Sequence, residues 1–171
     1  MTPYSGQTDP RSVMRLLRQL IPDAENSLLL DDQLCFALHA AARAMSAVYL
    51  ETLREFGLTY PQYLVLICLL EQDGSTVGEL GRRLHLDSGT LTPLLKRLET
   101  AGIVVRQRST EDERRVEILL TQKGRSYRKV AKRARASVLQ RLQMSNNEIS
   151  RMRGQLAEMT ERLREEGSNE D

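Results

Sequence analysis

The chain has 171 residues, 40% of them apolar and 28% charged, and a formal net charge of +2, which is one domain's worth of ordinary globular sequence or two small ones. No apolar run approaches the roughly 20 residues of a membrane span, and the first residues lack the basic and apolar regions of a signal peptide. Two cysteines 33 positions apart make neither a metal site nor a disulfide framework, so a cytoplasmic, reducing setting is expected, with no metal, no cofactor and no membrane partner. Aromatics are 4%, there is no Trp, and five Pro and ten Gly are too few for a turn-rich all-β fold; the core is expected to be aliphatic and the fold mainly helical.

In chain order, Asp9-Pro10 opens a first short helix, Asp as N-cap and Pro at the first helical position. Val13, Leu16, Leu17, Leu20 and Ile21 share one face of it until Pro22. Asp31-Asp32 opens the next helix, with Asp32 as N-cap. Its apolar stripe of Leu34, Leu38, Ala41, Met45 and Val48 runs to about Phe56, where Gly57 stops it. Tyr60-Pro61 begins a helix that is apolar around most of its surface and hence buried; Asp73-Gly74 ends it. Thr76-Val77-Gly78-Glu79 is a capping box for a helix with Val77, Leu80 and Leu84 inward. After a short break, Asp87 or Ser88 caps a helix carrying Leu91, Leu94, Leu95 and Leu98, closed by Ala101-Gly102. Ile103–Arg106 and Val116–Leu119 read as two strands around a charged loop, a hairpin. Helical periodicity returns from Thr121 to Leu142 and again, after Ser145-Asn146, in a last helix holding Ile149, Met152, Leu156, Met159 and Leu163. The acidic tail EEGSNED is expected to be disordered.

The near-neutral total hides a pattern. Residues 1–75 hold five Arg and nine acids, residues 76–135 fifteen Arg/Lys and seven acids, and residues 136–171 five Arg and seven acids. A basic middle between acidic ends predicts a localised anion-binding surface, against the plainer reading of solvated helix faces. Of the 25 basic residues 21 are Arg, which suits bidentate phosphate and base contacts. Within this middle, helix, short turn, helix and charged hairpin follow one another as in a winged helix-turn-helix, whose second helix sets its N-terminal residues in a major groove. The candidate DNA contacts there are Asp87, Ser88, Thr90, Thr92 and Pro93, with Gly89 among them and Lys96 and Arg97 one turn on. Small hydroxyl side chains approach bases closely, and a helix N-terminus attracts phosphate. In the wing the candidates are Arg106, Arg108, Asp112, Arg114 and Arg115, with Arg114 entering a minor groove and Asp112 holding it. Each feature alone also occurs in ordinary helical domains and solvated hairpins; their conjunction favours DNA.

From Leu30 to about Leu142 the sequence resembles the MarR family of winged-helix regulators, the wing's Asp112-Glu113-Arg114 followed by Leu120-Thr121 matching that family's pattern. More narrowly, LDDQLCFALHAAARA, GLTYPQYLVL, LDSGTLTPLLKRLETAG and EDERRV, in this order, resemble the OhrR subfamily, cysteine-based repressors that sense organic hydroperoxides. The resemblance implies a mainly α fold with a small β-hairpin wing, a winged helix-turn-helix with N- and C-terminal dimerisation helices, an obligate homodimer and a pseudo-palindromic double-stranded DNA operator. The expected division is an N-terminal extension with a short helix (1–29), dimerisation and sensor helices (30–75), the winged helix-turn-helix (76–121), C-terminal dimerisation helices (122–164) and the tail (165–171).

Cys35 lies three residues after Asp32. A helix N-terminus stabilises a thiolate, the reactive form, whereas Asp31 and Asp32 raise the thiol pKa; a free cysteine is also often a small buried apolar residue. The resemblance selects sensing, because the subfamily's sensing cysteine sits in this LDDQLC motif. His39, at i+4, can touch Cys35 within one helix; it stands where some members have Tyr. Tyr49 is fourteen residues on, ~21 Å along a continuous helix rising ~1.5 Å per residue. It is then out of reach of its own Cys35, but a two-fold dimer would bring it to the partner's. Tyr60 follows a turn and can approach from either chain. Both match tyrosines that hydrogen-bond near the sensing sulfur in the subfamily; read without it, they are core or interface packing. Cys68 reads as inert core, and the helix after the wing has no Cys, so the chain resembles the one-Cys type. Cys35 is then oxidised to a sulfenic acid and passes to a mixed disulfide with a low-molecular-weight thiol. Leu34, Phe36 and Leu38 suit lipophilic hydroperoxides, or equally a core.

The resulting reading is a DNA-binding transcriptional repressor that senses organic hydroperoxides by oxidation of Cys35 and then releases its operator. The alternative is a MarR-type repressor released by a small aromatic ligand, with Cys35 not sensing. A thiol peroxidase lacks support: there is no resolving-Cys arrangement and no Arg close to Cys35 in sequence. HExxH, CxxC, P-loop and GxSxG patterns are also absent, and no enzyme activity is expected.

Overall fold

The computed structural model of the protein describes residues 28–108 and 115–165. The expected helix at Asp9-Pro10, the wing tip with Asp112 and Arg114, and the acidic tail beyond residue 165 lie outside these residues. The chain divides into two units, residues 1–44 and 45–171.

In the first unit a 3-10 turn spans Leu30–Asp32, closed by the Asp32 and Gln33 N–H groups donating to the Leu29 and Leu30 carbonyls, each at 3.1 Å. Helix α1, Leu34–Leu53, begins only after it. The Gln33 carbonyl accepts the first helical bond, from the Ala37 N–H at 3.2 Å, so Gln33 and not Asp32 is the capping residue. The tighter turn has taken up Asp31 and Asp32 before the helix starts.

In the second unit α1 gives way to a 3-10 turn, Arg54–Phe56, ended by Gly57 in the left-handed region (φ 67°, ψ 23°). The Leu58 N–H reaches back to the Leu53 carbonyl at 3.1 Å, a closure that favours glycine because a Cβ is costly at positive φ. Thr59 and Gln62 form a capping box for α2, Tyr60–Glu71. Thr76 does two things at once. It ends a two-residue strand β1, Ser75–Thr76, and caps α3, Val77–Leu84, in a box with Glu79. Helix α4, Ser88–Thr100, follows with Asp87 as its cap.

Strands β2, Val104–Arg108, and β3, Val116–Leu120, pair antiparallel with Val104 opposite Leu120 and Arg108 opposite Val116. Strand β1 joins the other edge of β3, Ser75 opposite Ile118, to give the order β1-β3-β2. The hairpin is as expected; β1 is an addition that two residues carry too little periodicity to announce.

The helix expected from Thr121 to Leu142 is two: α5, Gln122–Ser126, and α6, Arg128–Leu142. At the junction the Tyr127 N–H donates to the Gly124 carbonyl at 3.1 Å, three residues back. Its ring meets Phe56 edge-on at 6.1 Å and its hydroxyl donates to the Phe56 carbonyl at 3.4 Å. A tertiary contact thus overrides helical continuation. Where α5 passes β2, the Ile103 carbonyl accepts both the Thr121 N–H and the Thr121 hydroxyl at 3.1 Å. There is no room at Gly124 for a side chain: a Cβ would stand 2.2 Å from that same carbonyl oxygen. Helix α7, Asn146–Glu165, starts from a Ser145–Glu148 box, with the Ser145 N–H donating to Glu148 Oε2 at 2.8 Å.

The core of this unit is aliphatic. Leu53, Leu66, Leu69, Leu80, Leu91, Leu95 and Leu98 are all sealed, with Ile103 just before β2 and Ile118 of β3. Each such side chain is worth ~1.5–3 kcal/mol of burial. By contrast α7 leaves Met152, Leu156 and Leu163 exposed. Among the described residues no helix is long and apolar enough to cross a membrane.

Candidate functional site

Helices α3 and α4 with the turn His85–Asp87 form the helix-turn-helix. Leu80 of α3 and Leu91, Leu95 and Leu98 of α4 face the core, and this leaves Ser88, Gly89, Thr90, Thr92, Pro93, Lys96 and Arg97 exposed on the other face of α4. The turn is tight. His85 sits at φ 57°, the Leu86 N–H donates to the Gly81 carbonyl at 2.9 Å, and a Cβ at Gly81 would stand 2.8 Å from the Leu86 carbonyl oxygen. Asp87 is committed to the helix start, accepting from the Thr90 N–H and the Thr90 hydroxyl, each at 2.8 Å. The Thr90 side-chain bond, then the backbone bond, holds its carboxyl below the usual aspartate range. Pro93, Lys96, Arg97, Thr100 and Ala101 line a shallow depression of about 420 Å³ on the exposed face.

Two wing arginines are also engaged. Arg106 Nε donates to Glu99 at 3.2 Å, and Arg115 Nη2 donates to Glu79 at 2.9 Å. Glu79 is the same residue that caps α3, and its carboxyl is held low by the Thr76 backbone and side-chain bonds first and by Arg115 less. Arg108 is exposed; Asp112 and Arg114 lie outside the described residues.

Counted by element, the charge is placed more narrowly. The winged helix-turn-helix, residues 76–121, carries eight Arg/Lys and seven acids, whereas residues 122–135 carry seven Arg/Lys and no acid. The excess read from the sequence therefore belongs to α5 and the start of α6, beyond the wing. Part of it is tied up within the fold. Arg125 pairs with Asp73 at 2.7 Å and Arg133 with Glu55 at 3.1 Å, while Arg128 and Lys123 donate to the Leu70 and Ala101 carbonyls.

In the first unit, Cys35 is the second residue of α1 and is exposed. It thus lies in the first helical turn, where backbone N–H groups have no intrahelical acceptor. His39, one turn on, is exposed too, as are Leu34 and Phe36. Cys68, in the second unit, is buried. Burial pushes its thiol pKa up, against the opposing charge and hydrogen bond of Arg83, which also pairs with Glu71.

The second unit places Tyr49 of α1 against Tyr60 of α2 at a ring-centroid distance of 5.0 Å. A third ring, not singled out by sequence reasoning, completes the group: Tyr63 lies 5.1 Å from Tyr49 and 6.0 Å from Tyr60. Burial, then the nearby Tyr49, raises the pKa of both Tyr60 and Tyr63. The spacing that could have revealed Tyr63 is its i+3 relation to Tyr60 on one helix.

Residues 47–132 match the family model for the transcriptional regulators SarA/Rot. The organic hydroperoxide resistance transcriptional regulator of Bacillus subtilis is 41% identical over 134 residues, 78% of this chain and 91% of that protein. The chain belongs to the SarA/Rot family of MarR-type winged-helix transcriptional regulators. Another relative of this regulator is TtmR of Methylorubrum extorquens, 59% identical over 99 residues; the match spans 58% of this chain and 51% of TtmR, so the chain accounts for about half of that protein's length. Among solved structures, reduced AbfR bound to DNA is similar at a TM-score of 0.67 and 34% identity, over 90% of this chain and 97% of AbfR. AbfR has also been solved with its disulfide formed, similar at a TM-score of 0.57 and 33% identity over 93% of this chain and 97% of that one.

Proposed function

We propose that the regulator is a homodimeric repressor that reads a pseudo-palindromic operator through α4 and the wing, and releases it when an organic hydroperoxide oxidises Cys35. The observation that carries the reading is the contrast between the two thiols: Cys35 is exposed in the first turn of α1, whereas Cys68 is buried. The helix end favours the thiolate. That thiolate attacks the hydroperoxide's terminal oxygen, forming the S–O bond as the O–O bond breaks. The leaving alkoxide takes a proton to become an alcohol, and the sulfur becomes a sulfenic acid. A low-molecular-weight thiol then condenses with it, forming an S–S bond and releasing water. Similarity to the Bacillus hydroperoxide resistance regulator and to AbfR, solved both reduced on DNA and with a disulfide, supports this chemistry.

On the DNA side, Ser88, Thr92, Pro93, Lys96 and Arg97 present the exposed face of α4 to the major groove. Asp87 and Thr90 set its first turn, Arg108, Asp112 and Arg114 serve the wing, and Arg106 and Arg115 hold the wing to Glu99 and Glu79. The exposed apolar residues of α7 and those at the start of α1 form the dimer contacts. His39 flanks Cys35, and Tyr49 and Tyr60 of the second copy supply hydrogen bonds to its sulfur. Release requires that the oxidised and reduced dimers differ in DNA affinity.

The test is a gel shift on the gene's own upstream DNA, with and without cumene hydroperoxide, for wild type and Cys35→Ser. Wild type should release DNA on oxidation and Cys35→Ser should stay bound. A Cys35→Ser protein that releases DNA normally would overturn the reading in favour of release by a small aromatic ligand.

A further inference from the structure

The turn of the helix-turn-helix carries charge that the reading above leaves unused. Gly81, Arg82, His85, Leu86 and Asp87 line a surface depression of about 480 Å³ together with Arg164, which comes from the far end of α7. Arg82, His85 and Arg164 are all exposed. Arg83 is paired with Glu71, whereas Arg82 makes no ion pair among the described residues. The one acid lining the depression is Asp87, and both of its carboxylate oxygens accept from Thr90. Two guanidinium groups thus stand against a single, already engaged carboxylate. Arg164 Nη1 donates to His85 Nδ1. A guanidinium only donates, so Nδ1 is the acceptor and the ring proton of a neutral His85 sits on Nε2, a further donor for an anion. The His85 backbone is left-handed, at φ 57°, where Gly or Asn stands at less cost. A histidine here is explained by what its side chain touches, and that is Arg164.

We propose that Arg82, His85 and Arg164 form an anion site for a backbone phosphate of the operator, so that the C-terminal helix takes part in DNA binding. The inference rests on the reading that α4 lies in the major groove. In a helix-turn-helix the first helix crosses the DNA backbone while the second enters the groove. The depression lies where the first ends and the second begins, since Asp87 both lines it and caps α4. Arginine presents its N–H donors in a planar fork that matches phosphate oxygens. A phosphate contact positions the protein without reading a base, so the site adds affinity on any DNA and carries no sequence preference of its own.

The experiment uses the full chain, reduced, as the double variant Arg82→Gln/Arg164→Gln, with Arg82→Lys and Arg97→Ala beside it. Kd is measured over a salt series for the gene's own upstream DNA and for an unrelated duplex of the same length. The double variant should lower the slope of log Kd against log salt by about 1. It should also weaken both DNAs by a similar factor, about fivefold at ~0.15 M salt. Arg82→Lys, which keeps the charge, should stay near the wild-type slope. A double variant with the wild-type slope, while Arg97→Ala lowers it, overturns the inference and spares the reading of α4. Weakening confined to the upstream DNA, with the slope unchanged, would mark Arg82 and Arg164 as mere supports of the turn and overturns the inference as well. If Arg97→Ala and the double variant both leave the slope unchanged, the reading of α4 falls together with the inference.

Discussion

Replacing Gly124 with Ala puts a Cβ 2.2 Å from the Ile103 carbonyl oxygen and 3.0 Å from Leu120 Cδ2, where ordinary contact begins at 3.4 Å. One side of that contact is backbone, so relief requires α5 and β2 to separate by about 1 Å. Overpacking of this kind costs ~1–3 kcal/mol. The shift also stretches the two bonds from Thr121 to the Ile103 carbonyl, each with a net worth of ~0.5–1.5 kcal/mol. Against this, Ala is favoured over Gly in a helix by up to ~1 kcal/mol. The balance is a loss of ~2–3 kcal/mol, or about 1 M in the urea midpoint at a typical m-value. Urea unfolding at matched chain concentration measures it, since the stability of the proposed dimer would depend on concentration. Gly78→Ala is the control: nothing lies within 4 Å of its Cβ position, and it should be neutral or up to ~1 kcal/mol more stable. A Gly124→Ala protein unfolding at or above the wild-type midpoint would refute the close-approach argument.

Three further outcomes are expected. A slow alkylating agent should modify one thiol per native chain, at Cys35, and reach Cys68 only in denaturant; peptide mapping showing Cys68 labelled as fast as Cys35 would contradict its burial. Because Tyr60 and Tyr63 have folded pKa values raised above the unfolded value, the stability they contribute is whole below about pH 10 and drains away as pH climbs through the folded values. Thermal melts across that range should show the loss, and Tyr63→Phe should reduce it. Lys96→Ala and Arg97→Ala should each lower the slope of log Kd against log salt by about 1, while Lys129→Ala on α6 leaves it unchanged; an equal effect at Lys129 would move the DNA path onto the basic helix beyond the wing.

Much of the candidate site was legible because its signals are local. The order of helix, turn, helix and hairpin, and the exposed hydroxyl face of α4, follow from apolar spacing and caps within a few residues. The thiol's place in the first turn of α1 survived even though the cap moved from Asp32 to Gln33. Arg106 and Arg115 were less legible. A wing arginine reads as a free cation until one sees Glu99 and Glu79, 7 and 36 residues away, beside it. Tyr63 was passed over: its i+3 spacing to Tyr60 lies within one helix, but its contact with Tyr49 comes from another helix.

What the amino-acid sequence determined by itself was therefore the set of elements and their punctuation: Gly57 after α1, the Thr59–Gln62 and Thr76–Glu79 boxes, Asp87 before α4, and motifs specific enough to indicate the family. What only the tertiary structure decided was which residues meet. It split one expected helix at Tyr127, added β1 to the hairpin, paired Arg106 and Arg115 with Glu99 and Glu79, and left no room for a side chain at Gly124 while leaving Gly78 in open space. The physical reason is the range of the interactions. Helix propensity and capping act over three or four residues and are written in local order. Close approach, ion pairing and ring contact depend on distances between segments tens of residues apart, which exist only once the chain has folded.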